Sequence, residues 1–72
     1  MNSPRLQRLL RPLDDSPPPA LRIAIEEKIS RAIERMTAAG CDQIGVVQDG
    51  RLVGVVTLAD ALRALGLNPA GG

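Results

Sequence analysis

The residues of this chain best placed to do chemistry are Thr57 and Asp60. They sit at the end of "DGRLVGVVTLAD", Asp49 to Asp60, where a run of small and branched apolar residues stops at a hydroxyl and a carboxylate follows three residues later. Two kinds of work suit that spacing. As a relative of the capping box, the Thr57 hydroxyl accepts from the Asp60 backbone N–H and the Asp60 carboxylate reaches back to the Thr57 N–H. As a grip on a ligand, the hydroxyl donates to a phosphate oxygen beside the free N–H groups of a helix start. The carboxylate one turn on then accepts from two neighbouring sugar hydroxyls. Such a grip needs nearby backbone with little side chain so that a flat base can enter, and Gly45 and Gly54 are candidates for it. Local physics leaves both readings standing.

Other chemistries lack their residues. The chain has 72 residues, no His, one Cys and no Phe, Tyr or Trp, with a net charge of +1. An ordinary zinc cluster and a Cys–His or Ser–His pair are therefore not expected, and Cys41 reads as an inert small residue. Asp14, Asp15, Asp42 and Asp49 fall in linkers and turns, where solvated loop roles are the rule. We expect no enzyme and no bound metal. Without aromatic rings there is no stacking platform for single strands, and near-neutral charge does not suit a general nucleic-acid binder. No apolar run approaches the roughly 20 residues of a membrane span, and arginines interrupt the first apolar stretch, unlike a secretory signal. A soluble, cytoplasmic setting is the expectation.

The elements that must position Thr57 and Asp60 can be read outward from them. "IGVVQ" and "RLVGVV" flank Asp49-Gly50, the dipeptide favoured in a two-residue type I′ hairpin turn, and both strands are short and valine-rich enough to be fully buried. Gly45 and Gly54 within them mark a bulge or a close approach by another group. After the hairpin, "LADALRALG" reads as a helix with Leu58, Ala61, Leu62 and Leu65 on one stripe, closed by Gly66.

Upstream, residues 20–40 are ambiguous. Leu21, Ile25, Ile29, Ile33 and Met36 recur at helical spacing, with Arg22–Glu26 and Glu27–Arg31 as four-apart pairs. One long helix fits this pattern. So does a split, with Leu21, Ile23 and Ile25 alternating as a short strand, "EEK" as a turn, and Ser30 capping a helix to Ala39. Gly40 ends the helix in either case. Residues 14–19, "DDSPPP", form a turn and linker. Before them, Leu6, Leu9, Leu10 and Leu13 line one side of a short amphipathic helix that Pro12 interrupts or ends, with Arg5, Arg8 and Arg11 opposite. Such a helix can lie on an acidic surface or cover an apolar patch of its own domain. The expected organisation is an N-terminal amphipathic helix and linker, 1–15, and one domain, 16–72.

"ISRAIERMTAAGCDQIGVVQDGRLVGVVTLADALRAL", Ile29 to Leu65, resembles a CBS motif, the repeat named after cystathionine β-synthase. The helix with Ala32, Ile33 and Met36, its Gly40 close, the valine hairpin around Asp49-Gly50 and the Thr57-x-x-Asp60 helix start carry the likeness, which Leu21 to Lys28 extend as a leading strand and loop. The resemblance implies an α/β (α+β) fold built as a single β-α-β-β-α unit, and so the split reading of 20–40. It implies pairing with a second motif, sheet against sheet, as a homodimer or half of a Bateman module. It implies clefts for adenosine ligands such as AMP, ADP, ATP or S-adenosylmethionine. Backbone around Ile44, Gly45 and Val46 would enclose the base, Thr57 would contact phosphate and Asp60 would hold ribose. The family often has proline where this chain has Gly45. Dimerisation also agrees with size, since so short a chain buries only about 60% of its unfolded surface. The expected function is regulatory sensing of an adenine nucleotide that modulates an associated enzyme or transporter. The alternative is a ligand-free CBS-type dimerisation module.

Overall fold

A computed structural model describes residues 5–13 and 19–66. Six elements follow in order: α1 (Leu6–Leu9), β1 (Arg22–Ala24), α2 (Ile29–Ala39), β2 (Gln43–Gln48), β3 (Arg51–Thr57) and α3 (Leu58–Ala64). The strands form one sheet in the order β1-β2-β3, with β1 parallel and β3 antiparallel to β2.

The split reading of 20–40 is the one observed. Ile23, from the alternating set, is 3% exposed in the core, and the Ile25 N–H extends the parallel ladder to the Val47 carbonyl at 2.8 Å. The helix starts at Ile29 and not at Ser30. Lys28 is its N-cap and supplies no side-chain hydrogen bond, so Ser30 falls inside the first turn and is exposed. The expected helical charge pairs are lost with the long helix, because Arg22 now lies in a strand. Ile29, Ala32 and Met36 bury the inner stripe of α2. Gly40 ends it at φ 69, and the Cys41 N–H returns to the Met36 carbonyl at 2.9 Å, which satisfies one of the last orphan acceptors of the helix.

Asp49 and Gly50 have φ of 53 and 79, both positive as a type I′ turn requires. The register runs Val46↔Gly54 and then Val47↔Leu52, so Val53 is the extra residue of a β-bulge. The strands are not buried on both sides. Ile44, Val46 and Val56 point into the core at 0% exposure, while Val47, Leu52 and Val55 are half-buried and Val53 is 38% exposed. The reason is that helices cover one face only, so the period-2 alternation of side chains divides valines between core and surface.

α1 is shorter than its leucine spacing suggests. The helix occupies only Leu6–Leu9, and Leu10 is extended at φ −61, ψ 130. Pro12 disfavours helical geometry at Arg11 before it. Leu6 is fully buried with Ile23, Ile29, Ala32, Met36 and Ala61 in one cluster, so α1 covers the domain's own apolar patch. Leu13, on the same helical stripe by sequence, is instead 47% exposed, and Leu65 is 42% exposed beyond the end of α3. Residues 14–18 of the expected linker and the tail beyond Gly66 lie outside the described residues.

Candidate functional site

The strand-to-helix corner at Thr57 is local chemistry first. Thr57 closes β3 at φ −92, ψ 152, and its Oγ1 accepts a hydrogen bond from the Asp60 N–H at 3.2 Å. That is the forward half of a capping box. The return half is absent. The Asp60 carboxylate instead receives Nε of Arg11 on Oδ2 at 2.7 Å, while a terminal nitrogen of Arg63 stands 3.6 Å from Oδ1. A charge-assisted hydrogen bond to a guanidinium outcompetes one to a neutral amide. The Asp60 side chain is 15% exposed and that of Arg11 57%. The hydrogen bond from Arg11 holds the Asp60 carboxyl below its ordinary range, against burial, which raises it. The Thr57 hydroxyl and the charges of Arg11 and Arg63 lower it further. Arg11 is correspondingly raised by the same hydrogen bond.

The N–H groups at the start of α3 are partly spent. Leu58 donates to the Asp42 carbonyl at 2.8 Å, and Asp60 donates to Thr57. The first of these bonds ties the start of the helix to the entry of β2. Beside it lies an open groove of about 800 Å³, walled by the chain entering β1 (19–21), the turn after α2 (40–43), and Leu58. Thr57 is the neighbour of a groove residue in sequence. Asp60 is not among the lining residues.

Ile44, Gly45 and Val46 lie in the middle of β2, between its neighbours β1 and β3. Ile44 and Val46 send their side chains into the core, and none of the three lines the groove. The Gly45 N–H donates to the Leu21 carbonyl at 2.8 Å, a ladder bond that proline at this position could not make. Its bare Cα also admits Leu52, whose Cδ1 would lie 2.7 Å from a Cβ built there. Glycine here makes room for the Leu52 side chain of β3.

Sequence reasoning placed Arg11 on a solvent-facing helix side and missed its contact with Asp60. No local signal announces that pair, because 49 residues separate the partners. Of the groove walls, Pro19 was read as the end of the linker, Leu21 as part of a strand or helix and Gly40 as a helix end, and none was singled out for a site. Among the described residues no group of three His, Cys, Asp or Glu side chains could hold a metal, and no helix is long and apolar enough to cross a membrane.

This architecture and this corner can be set against known proteins. The CBS domain profile matches residues 16–67, more than half of the chain. The chain belongs to the CBS domain family. Its structure is similar to the CBS domain of a candidate transporter from Clostridium difficile 630, with 30% sequence identity and a TM-score of 0.61 over 64% of this chain and 36% of that one. It is also similar to a CBS-domain containing protein from Agrobacterium tumefaciens, with 23% identity and a TM-score of 0.59 over 65% of this chain and 35% of that one, a likeness of fold alone. The chain thus spans about a third of the length of each. No curated protein matches it. CBS domains are regulatory modules that commonly bind adenosine ligands and typically pair into Bateman modules.

Proposed function

We propose that this CBS domain is a regulatory unit that binds an adenine nucleotide and completes its site by pairing with a second CBS motif, another copy of the chain being the simplest partner. The groove beside the start of α3 carries the reading. It runs between the entries of β1 and β2 and ends at Leu58, next to Thr57, so a nucleoside in the groove brings its phosphates toward that corner. Asp60 supplies the carboxylate for ribose hydroxyls. The sheet face turned away from the helices supplies the pairing surface, with Val47, Leu52 and Val55 half-buried on it. The effector is an enzyme or transporter associated with the module, in the cytoplasm.

A specific observation favours a second reading. The Thr57 hydroxyl is already occupied by the Asp60 N–H, and the Asp60 carboxylate by Arg11. A ligand-free pairing module needs nothing more from these residues than the cap and the ion pair.

Calorimetric titration of the full chain with AMP, ADP, ATP and S-adenosylmethionine separates the two. The nucleotide reading expects saturable binding by at least one of them and a rise in melting temperature that scales with ligand concentration. Asp60→Ala should abolish that rise and leave the oligomeric state unchanged. Flat titrations with all four ligands, together with a dimer in sedimentation, would leave the pairing module as the function.

A further inference from the structure

Residues 10–12 lie along the edge of β3 that faces away from β2. The Arg11 N–H donates to the Val55 carbonyl at 2.8 Å, and the Val55 N–H donates to the Arg11 carbonyl at 3.1 Å, so the two residues form a closed antiparallel bridge. The side chain of the same Arg11 crosses to α3 and grips Asp60. The bridge exists because residue 54 has no side chain. A Cβ on Gly54 would lie 2.8 Å from the Arg11 carbonyl oxygen and 3.1 Å from Leu10 Cδ2. Pro12 follows with no N–H, at a position whose N–H would face away from β3, so the strap's outer edge lacks a donor there. Upstream the segment is pinned by Leu6, which is fully buried. The strap is thus a short tether with a firm anchor at one end. At the other, one bridge and one guanidinium hold it down.

We propose that Arg11 is a built-in occupant of the Asp60 carboxylate, that its grip latches residues 10–13 onto β3, and that a ligand engaging Asp60 through paired hydroxyls releases this strap. The identity of that ligand rests on the nucleotide reading above; the latch does not. A carboxylate has two oxygens, and a vicinal diol uses both. Each oxygen can accept twice, but the Asp60 side chain is only 15% exposed beside Arg11, so a diol that reaches Oδ2 competes with the guanidinium already bound there. Arg11 is largely in solvent and loses little by returning to water. Its departure removes the side-chain half of the latch and leaves the backbone bridge alone to hold the strap. Ligand occupancy is then reported at the free edge of β3, outside the groove.

Three variants of the full chain test this by different routes. Arg11→Gln removes the cation, Asp60→Asn removes the negative charge and one of the two acceptor oxygens, and Gly54→Ala lifts the strap without touching either group. Hydrogen exchange at the Arg11 and Val55 amides reads the latch, with the Cys41 amide at the end of α2 as an internal control for folding. Each variant should speed exchange at Arg11 and Val55 by about tenfold or more while Cys41 stays protected. Unchanged exchange in both Arg11→Gln and Asp60→Asn overturns the latch. AMP reads the competition. It should speed exchange at the same two amides in the native chain and bind Arg11→Gln and Gly54→Ala several-fold more tightly than the native chain. Weaker binding by Arg11→Gln would make Arg11 a ligand contact and overturn the competition. Absence of binding by AMP, ADP, ATP and S-adenosylmethionine to the native chain, Arg11→Gln and Gly54→Ala alike would overturn the nucleotide reading and the competition with it. The latch itself would still be decided by the exchange rates of the ligand-free variants.

Discussion

Thr57 and Asp60 occupy one turn of backbone and answer to different partners. Thr57 acts locally, as the N-cap of α3. Its replacement by Ala should cost about 1 kcal/mol. In a domain of this size that corresponds to a melting temperature lower by about 4–8 °C, and Thr57→Ser should recover most of it. Asp60 acts at long range, and pH reads it. Arg11 chiefly, with Thr57 and Arg63, depresses its folded pKa below the ordinary value of about 3.8. The unfolded chain therefore takes up this proton first as pH falls. The stabilisation is fully present above the unfolded value and is lost as pH drops through the folded one. Urea midpoints measured from pH 5 down to pH 2 should fall more steeply for the native chain than for Asp60→Asn. Equal slopes would show that the carboxylate gains nothing from its arginines.

At the scale of elements, residues 20–40 show how two periodicities can share one stretch. Leu21, Ile23 and Ile25 fit a strand, and Leu21, Ile25 and Ile29 fit a helix, so spacing alone admits both. The ladder decides: Leu21 and Ile25 each have a backbone bond to β2 that a helix would forfeit. Gly40 was readable from sequence because its requirement is local. At φ 69 it needs a residue tolerant of the left-handed region, and open space surrounds it. Gly40→Ala should therefore destabilise by about 1 kcal/mol through backbone conformation alone. Gly40→Asn should cost less, since Asn tolerates that conformation. Chemical denaturation of the two variants side by side checks the order. Gly45 and Gly54 need no such φ. They are glycines because Leu52 and the Arg11 backbone come too close, and a sequence cannot say what approaches.

For the whole molecule, the N-terminal segment matters more than its length suggests. Among the described residues the core holds nine buried hydrophobic side chains, and Leu6 is one of the largest fully buried. Leu6→Ala should cost about 2–5 kcal/mol. A chain of this length is expected to have about 4–11 kcal/mol in total, so the variant should sit near unfolding in equilibrium denaturation. Pairing would offset part of the loss, and its midpoint should then rise with protein concentration. The Cα radius of gyration of one chain is 11.6 Å. Small-angle scattering that gives a clearly larger value, reduced again by Leu52→Glu on the open sheet face, would establish pairing through that face.

What the sequence determined by itself was everything written within a few neighbouring residues. The Asp49-Gly50 turn and the Gly40 helix end each depend on backbone preferences that act over one turn or one hairpin, and the CBS likeness is a succession of such local signals from Ile29 to Leu65. The tertiary structure alone decided the rest. It turned Val53 outward at a bulge and brought Leu6 into the core. It also gave the Asp60 carboxylate to Arg11. These outcomes depend on which surfaces meet when the chain closes on itself. A carboxylate has no preference for the seventh or the forty-ninth residue away, only for the cation that packing delivers within 3 Å.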